Sequence, residues 1–318
     1  MQMKKKILVT GGSGYKGTVL IKKLVDQNYR VINIDNNLFG KNNLKNKNVK
    51  NYNLDISEIK KINLKNVYAC IHLASIANDP MVDLDQSLSW ETSALGTKTL
   101  VDYLIEKKVK KIIYASSGSV YGIKKEKKVK EHLSLEPIST YNKVKMVTER
   151  LLISYKEKIN VVIVRPATVC GISKRMRLDV SVNALTFQAL KNKTINVFGG
   201  SQKRPNIHID DITDLYIFFL KNKIKFGIFN AGFENLSIIN IAKKIQNIIP
   251  SKILIKKKNF DPRSYNLDSS KLLKLGFKPK KKIEDAINEI KDHYQSGKLK
   301  EKPNFYSVQW LKKKLKKL

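Results

Sequence analysis

The 318-residue sequence contains little cysteine, histidine, tryptophan or proline, and these shortages exclude several classes of protein. Its two cysteines, Cys70 and Cys170, lie in separate apolar stretches, so we expect reduced core residues and no disulfide framework. Four histidines and two distant cysteines offer no metal-ligand spacing, and no metal site is predicted. The sequence has no apolar run long enough to span a membrane and no signal peptide, which predicts a cytoplasmic protein.

Acidic residues are also scarce. The chain has 62 lysines and arginines against 27 aspartates and glutamates, a formal charge of +35, and only seven of the basic residues are arginines. Such a charge is typical of nucleic-acid-binding proteins, but the lysines are spread along the whole chain and no RNA motif or basic-aromatic repeat appears. Biased composition is the favoured interpretation, and an RNA-associated protein is kept as an alternative.

Residues 310–318 form a short segment that is both basic and amphipathic. One interpretation is contact with an anionic membrane surface or with a partner. The favoured interpretation is a terminal helix that is docked or frayed.

A glycine-rich turn follows the first apolar run. Residues 7–10 are typical of a buried parallel strand, residues 19–25 have helical periodicity, and Gly11, Gly14 and Gly17 lie between them. Glycines at a strand-to-helix turn allow a tight bend and a close approach of the backbone to a pyrophosphate at the helix N-terminus. The segment therefore predicts a dinucleotide site.

A second apolar stretch ends in Asp35, about 20 residues after Gly17, where a carboxylate accepts hydrogen bonds from ribose hydroxyls. This carboxylate would repel a 2′-phosphate, so we predict NAD as the cofactor and not NADP. Asp55 follows the next short apolar stretch, at a place where it can meet the adenine amino group. The small residues around Ala74 are suited to passing under a dinucleotide.

Tyr141 and Lys145 lie four residues apart in a predicted helix, with Ser117 upstream. Residues i and i+4 share one helix face, so the lysine ammonium can lie beside the tyrosine. Bringing the pKa of a phenol from about 10 to about 7 needs about 4 kcal/mol of stabilisation of the phenolate, which a neighbouring ammonium can supply. The three residues therefore predict a general base that takes a proton from an alcohol.

Five segments resemble the motifs of a known family and follow one another in the family's order. They are Thr10 to Gly17, the stretch Lys111 to Gly122 with its Ser116-Ser117-Gly118-Ser119, Tyr141 to Lys145, Arg165-Pro166-Ala167-Thr168-Val169 and Ile207-His208-Ile209-Asp210-Asp211. Together they resemble an extended short-chain dehydrogenase/reductase, and more closely the NAD-dependent epimerase/dehydratase family that acts on nucleotide sugars. The resemblance covers about residue 4 to about residue 290.

The resemblance implies a role for each matched residue. Tyr141 is the expected acid/base, Lys145 lowers its pKa and binds the nicotinamide ribose, and Ser117 orients the sugar hydroxyl. The residues expected to bind NAD are Gly11, Gly14, Tyr15, Lys16, Gly17, Asp35, Asn36, Asp55, Ile56, Leu73, Ala74, Ser75, Ser116, Tyr141, Lys145 and Pro166. Those expected to bind a nucleotide-diphosphate sugar are Ser117, Ser119, Thr168, Arg177, Asn183, Arg204 and Arg263.

Departures from the family narrow the expected reaction. Dehydratases of the family have an Asp-Glu pair after the catalytic Ser or Thr, whereas this chain has Gly118 and Ser119, so 4,6-dehydration is disfavoured. The missing glutamate also argues against decarboxylation. We expect epimerisation at C4 through a transient 4-keto sugar; the alternative is a nucleotide-sugar 4-dehydrogenase or ketoreductase, and a non-catalytic RNA-associated relative is third. Lys16 stands where the family usually has an apolar residue.

The alternation of strand and helix patterns predicts an α/β fold, a doubly wound parallel sheet (Rossmann) with a smaller C-terminal substrate-binding lobe. Residues 1–165 and 207–225 are assigned to the NAD-binding domain, and residues 166–206 and 226–318 to the nucleotide-sugar-binding lobe. The resemblance further implies a homodimer held by a four-helix bundle, to which each subunit would contribute the predicted helices 84–106 and 142–155.

Overall fold

The structure, a computed structural model, describes residues 5–256 and 264–316. Its strands are β1 (Lys6–Thr10), β2 (Arg30–Ile34), β3 (Val49–Tyr52), β4 (Val67–His72), β5 (Lys111–Ala115), β6 (Asn160–Pro166), β7 (Thr168–Cys170), β8 (Thr194–Phe198), β9 (Lys203–His208), β10 (Phe226–Ala231), β11 (Glu234–Ser237) and β12 (Lys252–Lys256). Its helices are α1 (Tyr15–Asp26), α2 (Asp79–Val82), α3 (Gln86–Ser89), α4 (Gly96–Glu106), α5 (Thr140–Ser154), α6 (Ser181–Asn192), α7 (Ile209–Lys221), α8 (Ile238–Ile248), α9 (Ser270–Lys274), α10 (Ile283–Gln295) and α11 (Ser307–Leu315).

A seven-stranded sheet in the order β3-β2-β1-β4-β5-β6-β10 organises the larger part of the protein. All of its neighbouring strands pair in parallel. The chain builds outward from β1 to β3 and then crosses to β4 on the other side of β1, so the strand order reverses between β1 and β4. Such a switch point opens a crevice at the carboxyl ends of the strands. The predicted doubly wound α/β fold is confirmed.

Both faces of this sheet are buried, as a parallel sheet requires. Ile7 and Val9 point to one face, where they pack with Leu20 and Leu24 of α1 and with residues of α7. Leu8 points to the other face and packs with residues of α4 and α5. Each fully buried aliphatic side chain of this kind contributes about 1.5–3 kcal/mol to folding, so the sheet and its flanking helices form one core.

The smaller lobe has its own apolar core. A three-stranded sheet (β11-β9-β7) and the parallel pair β12-β8 lie with α6, α8 and α10 around buried isoleucines that include Ile195, Ile245 and Ile287. The predicted division places residues from 226 onward in this lobe, but β10 pairs along its length with β6 and forms the edge of the large sheet. The Rossmann sheet therefore extends beyond residue 225, and the rest of the division stays a prediction.

The segment predicted as one helix over residues 84–106 is helical from α3 to the end of α4, with a π-helical stretch at Trp90–Leu95 between them. The stretch contacts α5, which spans Thr140–Ser154, close to its predicted limits of 142 and 155.

The basic C-terminal segment is docked against the protein. Leu311 is fully buried, the indole Nε1 of Trp310 donates to the carbonyl of Leu38 at 2.7 Å, and Asn304 Nδ2 donates to the carbonyl of Phe39 at 2.8 Å. The lysines of α11 remain on its outer face. Within the described ranges, no helix combines the length and the apolar character that crossing a bilayer requires.

A buried histidine ties the sheet to α4. His72, at the end of β4, bonds through Nδ1 to the Thr10 hydroxyl at 2.6 Å and through Nε2 to the Thr97 hydroxyl at 2.8 Å. Burial, reinforced by the positive charge of Lys145, lowers the pKa of His72 to about 3. The folded protein therefore holds His72 neutral, whereas the unfolded chain protonates it below about pH 6.5.

This linkage predicts an acid-sensitive contribution to stability. Because the folded-state pKa is depressed, the contribution of His72 is complete above pH 6.5 and is lost as the pH falls toward 3; at pH 5 the loss is about 2 kcal/mol. His72→Asn removes the titrating group. The difference in unfolding free energy between wild type and variant, measured by urea denaturation, should therefore be about 2 kcal/mol smaller at pH 5 than at pH 7. His132→Asn, at an exposed histidine, is the control. If the difference in unfolding free energy between wild type and His72→Asn does not change with pH, His72 is not the group that makes stability acid-sensitive.

Candidate active site

A cavity of about 460 Å³ opens at the switch point of the large sheet. The predicted residues that line it are Gly11, Gly14, Tyr15, Lys16, Gly17, Asp35, Asn36, Asp55, Ile56, Leu73, Ala74, Ser75, Ser116, Ser117, Ser119, Tyr141, Pro166, Thr168, Arg177 and Arg204. Lys145 and Asn183 are buried behind the wall, and Arg263 lies outside the described residues. Tertiary folding thus brings residues from both lobes to one cavity.

The glycine-rich turn is built from close backbone contacts. Gly11 has φ +72°, and a Cβ there would lie 2.7 Å from the Ala74 nitrogen; a Cβ at Gly17 would lie 2.4 Å from the Gly11 oxygen. Gly14 precedes α1, offers no side-chain cap, and the first turn of α1 contains no acidic residue. The amide groups at this helix N-terminus are therefore left to an anion from outside the chain.

The two predicted acidic residues have different surroundings. Asp35 accepts hydrogen bonds from the backbone nitrogens of Ser13 (2.9 Å) and Asn37 (2.8 Å), while burial raises the pKa of its carboxyl. Asp55 caps the short 3-10 helix that begins at Ile56 and accepts from the Ser57 nitrogen at 3.0 Å. Both residues border the cavity. Hydrogen bonds from the backbone hold each carboxylate in a fixed orientation there.

A chain of hydrogen bonds fixes the Ser117 hydroxyl. Its Oγ lies 2.7 Å from the Ser119 Oγ, which in turn donates to Asn142 Oδ1 at 2.6 Å. Asn142 is fully buried and follows Tyr141 directly in α5, so one helix turn carries both the phenol at the cavity wall and the amide that holds the serines. Sequence analysis missed Asn142; its only signal was a polar residue in the first turn of the helix.

Lys145 lies one turn after Tyr141 and points to the end of β5. Its Nζ donates to the Ala115 carbonyl at 2.9 Å and lies 5.0 Å from the centre of the Tyr114 ring. Burial is the main cause that lowers the pKa of Lys145 to about 7; repulsion by Lys16 acts in the same direction, and Glu149 opposes the shift. An ammonium this poorly solvated exerts a strong field on groups that share its pocket.

A buried ion pair lies behind this lysine. Arg165 Nη2 and Glu149 Oε2 are 2.6 Å apart, and their side chains are 3% and 1% exposed. Glu149 also accepts from the hydroxyl of Ser116, and Arg165 donates to the Tyr121 hydroxyl at 2.7 Å. Arg165 is therefore a structural residue, and the Ser116 side chain is occupied by Glu149, although Ser116 borders the cavity.

The loop after β7 forms the wall contributed by the smaller lobe. Arg177 pairs through Nε with Asp179 at 2.8 Å, and Arg175 donates through Nη2 to the Ser307 hydroxyl at 2.8 Å. Among the described residues, neither Arg175 Nε nor Arg177 Nη2 has a hydrogen-bond acceptor, although both atoms are buried. Unused guanidinium donors on a cavity wall favour an anionic ligand.

Tyr15 and Asn183 connect this loop to α1. The Tyr15 hydroxyl donates to the Gly171 carbonyl at 2.8 Å, and Asn183 Nδ2 donates to the Tyr15 oxygen at 3.0 Å. Asn183 Oδ1 accepts from the Gly171 nitrogen at 3.0 Å, so the amide is fully engaged within the protein. Asn183 thus positions the arginine loop against the glycine-rich turn, and the structure does not place it on the cavity wall where a substrate ligand was expected.

His208, Asp210 and Glu289 are close enough to hold a metal ion. However, Lys23 pairs with Asp210 at 2.9 Å, Lys281 pairs with Glu289 at 2.8 Å, and His208 Nε2 bonds to Glu289 at 3.2 Å. The cluster is charge-balanced by these lysines, and it does not belong to the cavity. The expectation that no metal is needed stays a prediction.

The fold, the glycine turn and the Tyr141 helix agree with the match to a known family. The sequence profile described as the NAD dependent epimerase/dehydratase family matches residues 7–232. The chain belongs to this family. The predicted family is thereby confirmed, and so is NAD as the cofactor on which the family depends.

Relatives of this chain span nearly its whole length. A putative UDP-glucose 4-epimerase of Methanocaldococcus jannaschii is 29% identical over 300 residues, which cover 89% of this chain and 96% of the relative. The structure of UDP-glucuronic acid 4-epimerase from Bacillus cereus, in complex with UDP-glucuronic acid and NAD, is 26% identical with a TM-score of 0.80 and covers 92% and 99% of the two chains. TunA, an NAD-dependent NDP-hexosamine 5,6-dehydratase of tunicamycin biosynthesis, is 23% identical with a TM-score of 0.82, covers 92% and 98%, and shares the fold.

Several residues that line the cavity belong to none of the sequence motifs described above. They include Leu38, Phe39, Asp79, Arg175, Tyr265 and Ser307. Phe39 lies 4.7 Å below the guanidinium of Arg175, and Ser307 begins the C-terminal helix. Their positions depend on the packing of distant segments. Of these residues, only Arg175 could have been singled out from the sequence, because arginines are few in this chain.

The glycine turn predicts different effects for two Gly→Ala variants. Gly17→Ala places a Cβ 2.4 Å from the Gly11 oxygen, so the turn must shift, and the ligand-free protein should lose about 1–3 kcal/mol of stability. In Gly14→Ala the Cβ meets only the Gly11 oxygen, at 3.2 Å, and otherwise faces open space of the cavity. Thermal unfolding should therefore change little for Gly14→Ala while NAD affinity, measured by calorimetry, falls; unchanged NAD affinity would contradict the placement of the dinucleotide.

Proposed function

We propose that the protein is an NAD-dependent nucleotide-sugar epimerase that inverts C4 through a transient 4-keto sugar. The observation that carries the proposal is that Ser117 and Tyr141, with Lys145 behind them, share one cavity with the glycine turn and with the arginines of the smaller lobe. The names of the M. jannaschii relative and of the B. cereus structure support the same reaction class.

The residues present fit NAD. The wall offers the uncapped N-terminus of α1, glycines whose Cβ positions would collide with the backbone, and the carboxylate of Asp35. When bound, NAD accepts a hydride from the sugar carbon and returns it to the opposite face. Gly11 and Gly17 would admit the pyrophosphate, Asp35 the adenosine ribose, and Lys145 the nicotinamide ribose.

Tyr141 would move the proton. In the proposed reaction its phenolate takes the proton of the C4 hydroxyl and later returns it to the inverted alcohol. Lys145, one turn away, stabilises the phenolate electrostatically, and Ser117 orients the hydroxyl, since its own position is held by Ser119 and Asn142. Epimerisation would require the keto sugar to stay in the cavity and turn over there, whereas in oxidation the keto sugar would leave.

The residues after Ser117 disfavour dehydration. Elimination of water needs an acid and a base beside the sugar, and Gly118 and Ser119 supply neither. The alternative 4-dehydrogenase or ketoreductase uses the same Ser117, Tyr141 and Lys145, so it differs only in whether the ketone leaves the cavity. The RNA-associated alternative is supported only by the net charge.

We also propose a homodimer through the long helices. Leu95, in the π-helical stretch, and Val147, on α5, are 61% and 39% exposed, and both belong to the helices predicted to form the four-helix bundle. Exposed apolar residues on neighbouring helices favour burial against a second copy. The proposed compartment is the cytoplasm.

A substrate panel tests the proposed reaction. UDP-, GDP- and dTDP-sugars are incubated with the purified protein without added cofactor, and the products are analysed by mass spectrometry and NADH fluorescence. An isomer of unchanged mass without net NADH supports the epimerase. A product two hydrogens lighter with NADH supports the dehydrogenase, and a product lighter by one water would overturn both.

Tyr141→Phe should lower turnover at least about 100-fold, because the phenyl ring cannot transfer the proton. NAD affinity, measured by calorimetry, should stay close to wild type, since the ring and the helix remain. Tyr155→Phe is the matched control: it is the same substitution at the end of the same helix, where the hydroxyl only donates to Asp102 at 2.7 Å. Near-normal turnover of Tyr141→Phe would show that another group is the base.

A further inference from the structure

Lys16 is placed where a cation is unfavourable. It is the second residue of α1, close to the positive end of the helix dipole, and it borders the cavity beside the uncapped Gly14. Burial, with a smaller contribution from the charge of Arg177, lowers the pKa of its ammonium to about 8, so at neutral pH the group is still largely protonated. An ammonium in this position costs stability unless an anion lies beside it.

The part of the chain that the structure describes supplies no such anion. No carboxylate of residues 5–256 and 264–316 forms an ion pair with Lys16, and its Nζ makes a single long contact, 3.5 Å, to the hydroxyl of Tyr216. The charged groups that act on it are cations: Arg177 repels Lys16, and Lys16 in turn repels Lys145. Lys16 is therefore within electrostatic range of both the arginine wall and Lys145.

The same part of the cavity has other unused donors. Arg175 is 3% exposed, and neither its Nε nor Nη2 of Arg177 finds an acceptor among the residues that the structure describes. Ser173 fixes this loop beside Lys16, because its hydroxyl bonds to the Tyr15 carbonyl and to Thr18, both at 2.7 Å. Cations that the fold holds in one loop, each with a buried donor atom that is not used, indicate a polyanionic ligand.

We propose that Lys16 is a diphosphate-binding residue, whose ammonium lies against the pyrophosphate of the dinucleotide or the diphosphate of the nucleotide sugar. This inference rests on the proposed function for the identity of the two ligands. It assigns Lys16 a side-chain contact in addition to the backbone amides of the turn. A diphosphate beside Lys16 would offset the repulsion from Arg177 and Lys145, which the ligand-free protein has to bear.

Three variants separate this role from a structural one. Lys16→Met removes the charge and keeps the length of the side chain, and Lys16→Arg keeps the charge. Lys22→Met is the matched control, since it removes the same charge from the same helix at an exposed surface pair with Asp26. Calorimetry measures NAD binding to cofactor-free protein and UDP binding to NAD-loaded protein, and thermal unfolding reports the stability of the ligand-free state.

Lys16→Met should weaken either NAD or UDP by about tenfold or more, since a hydrogen bond to a charged group contributes about 1.5–3 kcal/mol. The affected ligand identifies which diphosphate is bound. Lys16→Arg should restore most of the affinity, and Lys22→Met should bind as wild type. The ligand-free Lys16→Met protein should be at least as stable as wild type, because a half-buried cation without a bonded carboxylate among the described residues has been removed.

Either of two binding results would overturn the inference. One is wild-type affinity of Lys16→Met for both NAD and UDP; the other is an equal loss in Lys16→Met and Lys22→Met, which would be an effect of net charge. A less stable ligand-free Lys16→Met protein would also count against it, since Lys16 would then be structural. If wild type itself fails to bind NAD, the proposed function fails instead, and the two failures are distinguishable.

Discussion

The close approach of backbone to backbone at the glycine turn is the constraint on which the site depends. Gly11 lies against the end of β4 at Ala74, and Gly17 lies against Gly11, at distances that leave no room for a Cβ. This contact sets the start of α1, and with it the direction of the free amides and the position of Lys16. Because β1 and β4 are neighbours at the switch point, the same contact places the turn beside the strand ends that border the cavity.

The site contrasts two kinds of buried charge. Glu149 and Arg165 are paired and hydrogen-bonded on all sides, so they stabilise the region behind the cavity and have little left for a ligand. Lys16 and Lys145 have no bonded carboxylate among the described residues, and burial lowers the pKa of each. A buried charge that is paired within the protein helps to define the fold. A charge without a carboxylate partner can instead stabilise a bound ligand of opposite charge.

The smaller lobe reaches the cavity through a few specific contacts. Tyr15 and Ser173 hold the arginine loop to the first turn of α1, and Ser307, at the start of the C-terminal helix, accepts from Arg175. The family profile ends at residue 232, so Ser307 and its helix lie beyond the matched segment. A substitution in this helix can therefore affect ligand binding without touching a family motif.

Local sequence determined the elements that depend on local chemistry. The glycine spacing, the aspartate after the second strand and the i, i+4 pair of Tyr141 and Lys145 follow from turn geometry and helix periodicity, and the predicted helices 84–106 and 142–155 formed close to their expected limits. The parallel α/β class followed from the alternation of apolar strands with amphipathic helices.

Only the tertiary structure decided what meets across the chain. In the folded protein β10 pairs within the large sheet, and Asn183 lies behind the cavity wall. Asn142 bonds to Ser119, and Ser307 bonds to Arg175, which is 132 positions away in the sequence. These contacts depend on packing between distant segments, which no local propensity encodes. The pKa values of Lys16 and Lys145 are decided in the same way, because burial and neighbouring charge exist only in the folded protein.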